Sequence, residues 1–230
     1  MRPLVGWGLD GASYRGSNAG RTTLGEPAWG PAALLRDLEL RLALPPVDGS
    51  PSLRVQQWAR RIDATIGAGP FFARSFAADR IGTASTLLAW RDALVDAGWS
   101  GRGIASGGPR LEALAAIEVA LPDEPLPSGT VDRMVRIEAE LERQPPRTVL
   151  RPPYDTLTLV EPRAAWSSRW RRIFALLEAN GTAIAQHAGV GDRQPEDSDL
   201  GRLQCMLSGE ADASRPLRGD GSLLIVRGET

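Results

Sequence analysis

Two stretches of this chain bring together residue types that could do chemistry. The first is GEPAWGPA, residues 25–32. Gly25 and Gly30 stand at the separation of the two glycines in G-x-x-x-x-G-K-[ST], a loop whose backbone N–H groups cradle phosphates. A working loop continues with a lysine for the β- and γ-phosphates and a hydroxyl for Mg²⁺; here those places hold Pro31 and Ala32. Proline suits the first position of a helix, where no N–H is needed, so the helix start survives while the cation and the metal ligand are lost. The second stretch is WSSRWRR, in which Trp166 and Trp170 alternate with Arg169, Arg171 and Arg172. Indoles that stack on bases and arginines that meet phosphates are the two parts of sequence-tolerant single-strand binding, which makes these five residues candidate DNA contacts. The four-residue spacing of the indoles equally suits one packed helix face with solvated arginines.

Other chemistries are excluded by what the chain lacks. All 27 positive residues are arginine and none is lysine. Phosphate-loop NTPases, Schiff-base enzymes and nucleases of the D…(D/E)-x-K type each need a lysine. Arginine is a poor substitute, because its planar fork neither acts as a compact point charge nor titrates near neutrality. One cysteine, Cys205, excludes an internal disulfide, and with one histidine, His187, it cannot complete a zinc site of the usual ligand sets. A serine or cysteine nucleophile needs an adjacent base, and nothing beside His187 suggests one. Glu161 follows an apolar run where many ATPases carry a metal-binding acid, yet without a phosphate-loop lysine it reads as a solvated carboxylate. Asp10 and Asp220 sit beside glycines and read as turn residues. No catalytic residue, metal or cofactor is expected for this chain.

The elements that must position these residues follow from periodicity. Residues 3–8 predict an edge strand, residues 9–20 a Gly/Ser/Asn loop, and residues 22–24 a short strand feeding the glycine-flanked turn. A helix over 31–44 places Leu34, Leu35, Leu38 and Leu42 on one face and ends at Pro45 and Pro46. Helices are predicted over 51–66, 83–97, 109–121 and 128–143, with Trp58, Trp90 and Trp99 among apolar neighbours and so expected in the core. After a proline-rich break the pattern changes. TLTLV at 156–160 reads as a strand buried on both faces, followed by a helix over 167–179, a strand over 182–186, a helix over 199–207 and a strand over 222–226.

Strand and helix alternating in this way predict an α/β fold with a parallel sheet. Residues 1–50 form its first part, 51–144 a helical insertion, and 145–230 its second part. A length of 230 residues with 42% hydrophobic content supports one substantial core or two modest ones. With no apolar run of about 18 residues and no signal-peptide pattern, no membrane association is expected and the default location is the cytoplasm. A net charge of −1 supplies no global attraction to nucleic acid, so any such contact has to be local. The final strand leads into RGET with no crossover behind it, and the chain is expected to continue in a longer polypeptide.

Four pieces, GEPAWGPAALLRDLELRLAL, FFARSFAADRIGTASTLLAWRDALVDAGW, LTLVEPRAAWSSRWRRIFALLEANG and DLGRLQCMLSGE…LRGDGSLLIVRGET, together resemble the N-terminal region of bacterial AddB-like proteins. These carry an inactivated superfamily I helicase portion and a distal PD-(D/E)XK nuclease domain. The resemblance implies a RecA-like α/β domain with a helical insertion, in a protein that processes double-strand breaks beside a partner helicase-nuclease subunit. Its expected roles are binding of single-stranded or forked DNA, or subunit docking. The phosphate-loop motif carries over only onto Gly25 and Gly30, with Pro31 and Ala32 departing from it, which puts ATP binding in doubt. Two other classes fit the residues: a small-molecule or nucleotide-binding α/β module, an enzyme of unknown substrate included, in which the loop holds a phosphate through backbone N–H groups alone, and a pure protein-interaction domain.

Overall fold

A computed structural model of the chain describes residues 1–10, 27–45, 50–103, 107–143, 153–187, 198–207 and 218–222. The predicted strand at 22–24, Gly25, and residues 223–226 of the last predicted strand lie outside them. The chain divides into two units, one of Met1–Tyr14 with Thr22–His187 and one of Arg15–Arg21 with Ala188–Thr230.

The first unit is α/β. Its sheet holds four parallel strands, β1 (Leu4–Val5), β2 (Ala28–Trp29), β3 (Thr156–Leu159) and β4 (Ala183–Gln186), in the order β2-β1-β3-β4. Leu4 is in register with Ala28 on one side and Thr158 on the other. The first strand is therefore interior, not at the edge as its sequence suggested. Pro3 does not prevent this, because it precedes the strand and contributes only its carbonyl, which accepts the Thr158 N–H at 2.9 Å. In β3 Leu157 and Leu159 are buried while Thr156 and Thr158 are half-buried. The run TLTLV thus alternates between a sealed face and a partly open one, rather than being buried on both.

Helix α1 (Pro31–Arg41) starts on proline and turns Leu34, Leu35 and Leu38 inward. It ends at Arg41, ahead of the predicted stop, and Ala43 takes a positive φ of 52° just beyond. Then come α2 (Pro51–Thr65), α3 (Ala73–Ala78), α4 (Arg80–Asp96), α5 (Gly108–Val119) and α6 (Thr130–Arg143). After β3, α7 (Ser168–Ala179) leads to β4.

Two apolar cores result. One gathers Trp58, Ile62, Phe76, Leu87 and Ile117 from α2 to α5. The other gathers Val5, Leu157 and Leu159 from the sheet with side chains of α1, α6 and α7. Helix α6 gives Met134, Ile137 and Leu141 to the sheet core, so the last helix of the predicted insertion serves the α/β part. Within that core the Tyr154 hydroxyl donates to Asp37 at 2.6 Å, and burial together with this bond pushes the phenol well above its ordinary range.

Buried ions join the helical core to its neighbours. Arg54 on α2 donates to both oxygens of Asp92 at 2.6 and 2.8 Å and to Asp132 at 2.8 Å. Arg91 on α4 meets Glu118 at 2.8 and 3.0 Å and Asp132 at 2.5 Å. Two arginines and three carboxylates thereby tie α2, α4, α5 and α6.

In the second unit, α8 (Asp199–Leu207) opens on a carboxylate that is 2% exposed. It accepts the N–H groups of Arg218 at 2.7 Å, Gly219 at 2.5 Å and Asp220 at 3.1 Å. Among the described residues no helix is long and apolar enough to cross a membrane.

Candidate functional site

Because the four strands are parallel, their carboxyl ends share one edge. In open α/β sheets ligands bind outside that edge, where the strand order reverses. Here the reversal lies between β1 and β3. The residues that follow the strands are Gly6 and Trp7 after β1, Gly30 and Pro31 after β2, Val160 and Glu161 after β3, and His187 after β4.

The start of α1 is where a phosphate would have to sit. A helix begins with N–H groups that lack intrahelical acceptors and attract anions. Pro31 has no N–H to offer. Ala32 donates to Oδ2 of Asp10 at 2.7 Å and Ala33 to Oδ1 at 3.1 Å. Leu34 completes the turn by donating to the Gly30 carbonyl at 3.0 Å. Each N–H from Ala32 to Leu34 is thus taken, two of them by a carboxylate of the chain itself.

Gly30 permits this arrangement. A Cβ there would stand 2.2 Å from Cγ and 2.3 Å from the backbone nitrogen of Asp10. Its missing side chain makes room for Asp10, which caps α1 and is no mere turn residue. Gly25 lies outside the described residues, Ala28 and Trp29 form strand β2 within the 25–30 interval, and the anion position ahead of Pro31 and Ala32 is filled by Asp10.

Glu161 has a comparable internal task. Its two oxygens accept the Trp7 N–H at 3.1 and 3.2 Å, which closes the end of β3 onto the end of β1. Gly6 accommodates the approach, since a Cβ there would meet Val160 at 3.0 Å. The Trp7 indole stacks on Trp166 with centroids 4.6 Å apart and planes at 26°.

The second candidate stretch is placed mostly inside the fold. Trp166 is 2% exposed, Trp170 3% and Arg169 8%. Trp166, Trp170 and Phe174 pack ring against ring at 5.2 to 5.8 Å. Arg169 donates to Glu138 at 2.5 Å and to the Val95 carbonyl, where a cation complements the carboxyl end of α4. Ser167 and Ser168 add bonds of 3.0 Å to Asp96. The stretch is a clasp between α7, α6 and the end of α4, and three of its five proposed DNA contacts are enclosed. Arg171 and Arg172 are exposed, and Arg172 pairs with Glu142 at 2.5 Å.

Among the described residues no cluster of three or more His, Cys, Asp and Glu side chains is placed to hold a metal ion. Trp58 and Trp99 are buried as expected, but Trp90 is 43% exposed and faces Phe71. Its neighbours at helical spacing, Leu87 and Leu94, had suggested a core position. Trp90 instead stands at the border of the buried stripe, a distinction of one helical step that spacing does not resolve. Asp10 could not be found from the sequence either, because its partners Ala32 and Ala33 lie 22 and 23 residues away. No family model, curated protein or solved structure matches the chain.

Proposed function

We propose that this chain is a catalytically silent, helicase-like α/β domain of an AddB-like break-processing protein, serving DNA handling and subunit docking rather than nucleotide hydrolysis. The observation that carries the silent character is the Asp10 cap. With Ala32 and Ala33 bonded to its carboxylate, a nucleotide phosphate would have to displace a negative charge from the helix dipole before meeting any donor. It would meet no lysine when it arrived, since the chain has none. The finer RecA-like assignment is supported by a parallel sheet in which the βα unit of β2 and α1 is followed by a run of helices before the third strand. The same cap disfavours the reading as a nucleotide-binding module, which needs those N–H groups free.

Thermal unfolding of the 230-residue chain with ATP or ADP and Mg²⁺ tests this. A bound ligand at a hundred times its dissociation constant would add about 2.7 kcal/mol. The expected outcome is an unmoved transition at millimolar nucleotide. A saturable rise would overturn the assignment.

A further inference from the structure

A groove of about 420 Å³ runs along α4, lined by Phe71, Phe72, Asp79, Thr83, Leu87 and Trp90. The rings of Phe71 and Trp90 lie within 11° of parallel with centroids 6.4 Å apart, yet they remain 46% and 43% exposed. Two large aromatic side chains, stacked on each other and still nearly half exposed, present apolar ring surface to water. Over Phe71, 5.6 Å from its centroid, stands the guanidinium of Arg110, which has no carboxylate partner among the described residues. The acid in the groove, Asp79, is committed: it caps α4 and accepts the Gly82 N–H at 2.9 Å.

Half-exposed aromatic faces call for a planar apolar ring, and the unpaired guanidinium beside them calls for an anion. A nucleobase with its phosphate carries both. A free nucleotide would need most of its surface enclosed, whereas rings left about half open suit a base held also through its neighbours in a strand. A proline-rich peptide would use the rings but leave the guanidinium unanswered. We propose that the Phe71–Trp90–Arg110 groove is a stacking site for an unpaired nucleotide of single-stranded DNA, with Arg110 meeting the adjacent phosphate. This rests on the DNA-handling part of the proposed function and gives it a location away from the enclosed stretch at Trp166.

The test is fluorescence anisotropy of labelled oligo-dT with the full chain at two salt concentrations, comparing wild type with Trp90→Ala, Trp90→Phe and Arg110→Gln. Trp90→Ala should weaken binding roughly five- to 150-fold, the range for losing one stacked base, and Trp90→Phe should restore most of it. Arg110→Gln should lower the salt slope by about 0.7, one phosphate contact on a single strand. Thymidine monophosphate should not compete at concentrations where unlabelled oligo-dT does. Equal affinity of wild type and Trp90→Ala overturns the site while leaving a DNA-handling domain standing. No strand binding by wild type overturns the site and the DNA-handling role, leaving docking. Binding of a proline-rich peptide in place of the strand, or equal competition by the mononucleotide, overturns the proposed occupant. The nucleotide experiment on α1 fails or succeeds independently of all of these.

Discussion

At the scale of single residues the carboxyl edge of the sheet is held by acids that answer backbone N–H groups. Asp10 does so for α1, and Glu161 does so for Trp7. Removing a capping carboxylate leaves orphan donors, so Asp10→Ala should cost about 0.5–2 kcal/mol. Gly30→Ala should cost about 1–3 kcal/mol, because its Cβ would press on the Asp10 backbone and not only on a movable side chain. Urea denaturation of both variants measures this; a neutral Gly30→Ala would show that Asp10 does not sit where the cap requires. The glycine spacing was legible in the sequence and its purpose was not. The motif names a place for an anion, but it cannot tell that the chain brings its own anion from far upstream.

At the scale of elements, buried charge decides how the helices are joined. Arg91 is 7% exposed and holds Glu118 and Asp132, so a substitution to alanine strands the half-buried Glu118 and leaves Asp132 with Arg54 as its remaining cation. Removing one partner of such a pair costs about 3–5 kcal/mol, which places Arg91→Ala among the most damaging single changes here. The urea midpoint should fall accordingly, whereas Arg143→Ala, at an exposed pair with Glu140, should leave it within error. Helices α2, α4 and α7 were readable because their apolar residues recur at helical spacing over three turns or more. What periodicity leaves open is the partner of each face. Helix α6 has a clear stripe through Met134, Ile137 and Leu141, and nothing in that stripe says that it faces the sheet core. The two-residue strands β1 and β2 are too short to give an alternation, so the interior position of β1 had no local signature. Arg169 was misread for a related reason: a cation beside two indoles looks solvated until Glu138 and the end of α4 are brought to it from elsewhere in the chain.

At the scale of the whole molecule, one of the two units carries a defined response to acid. In the second, backbone N–H groups, that of Arg218 foremost, hold the Asp199 carboxyl below the usual carboxylate range, and Ser222 does the same for Asp220. A depressed folded value means that the stabilisation is complete above the ordinary Asp range and is lost as pH falls through the folded value. Amide resonances of Arg218 and Gly219 should therefore move with a midpoint below about 3.9, the unperturbed Asp value. A midpoint at that ordinary value would contradict the bonding described for Asp199.

The interior place of β1 also has a bearing on synthesis. Its partner β3 lies about 150 residues further along the chain, as the 154-residue separation of Trp7 and Glu161 shows. Until β3 has been made, β1 can pair only with β2, and its other row of hydrogen-bonding groups is an open edge that another chain could occupy. Helices α2 to α5 between them have a core of their own, so they can gather while the sheet waits. The order in which this protein is made is thus the reverse of the order in which its centre can close, and its vulnerable interval is the time a ribosome takes to cross the helical segment.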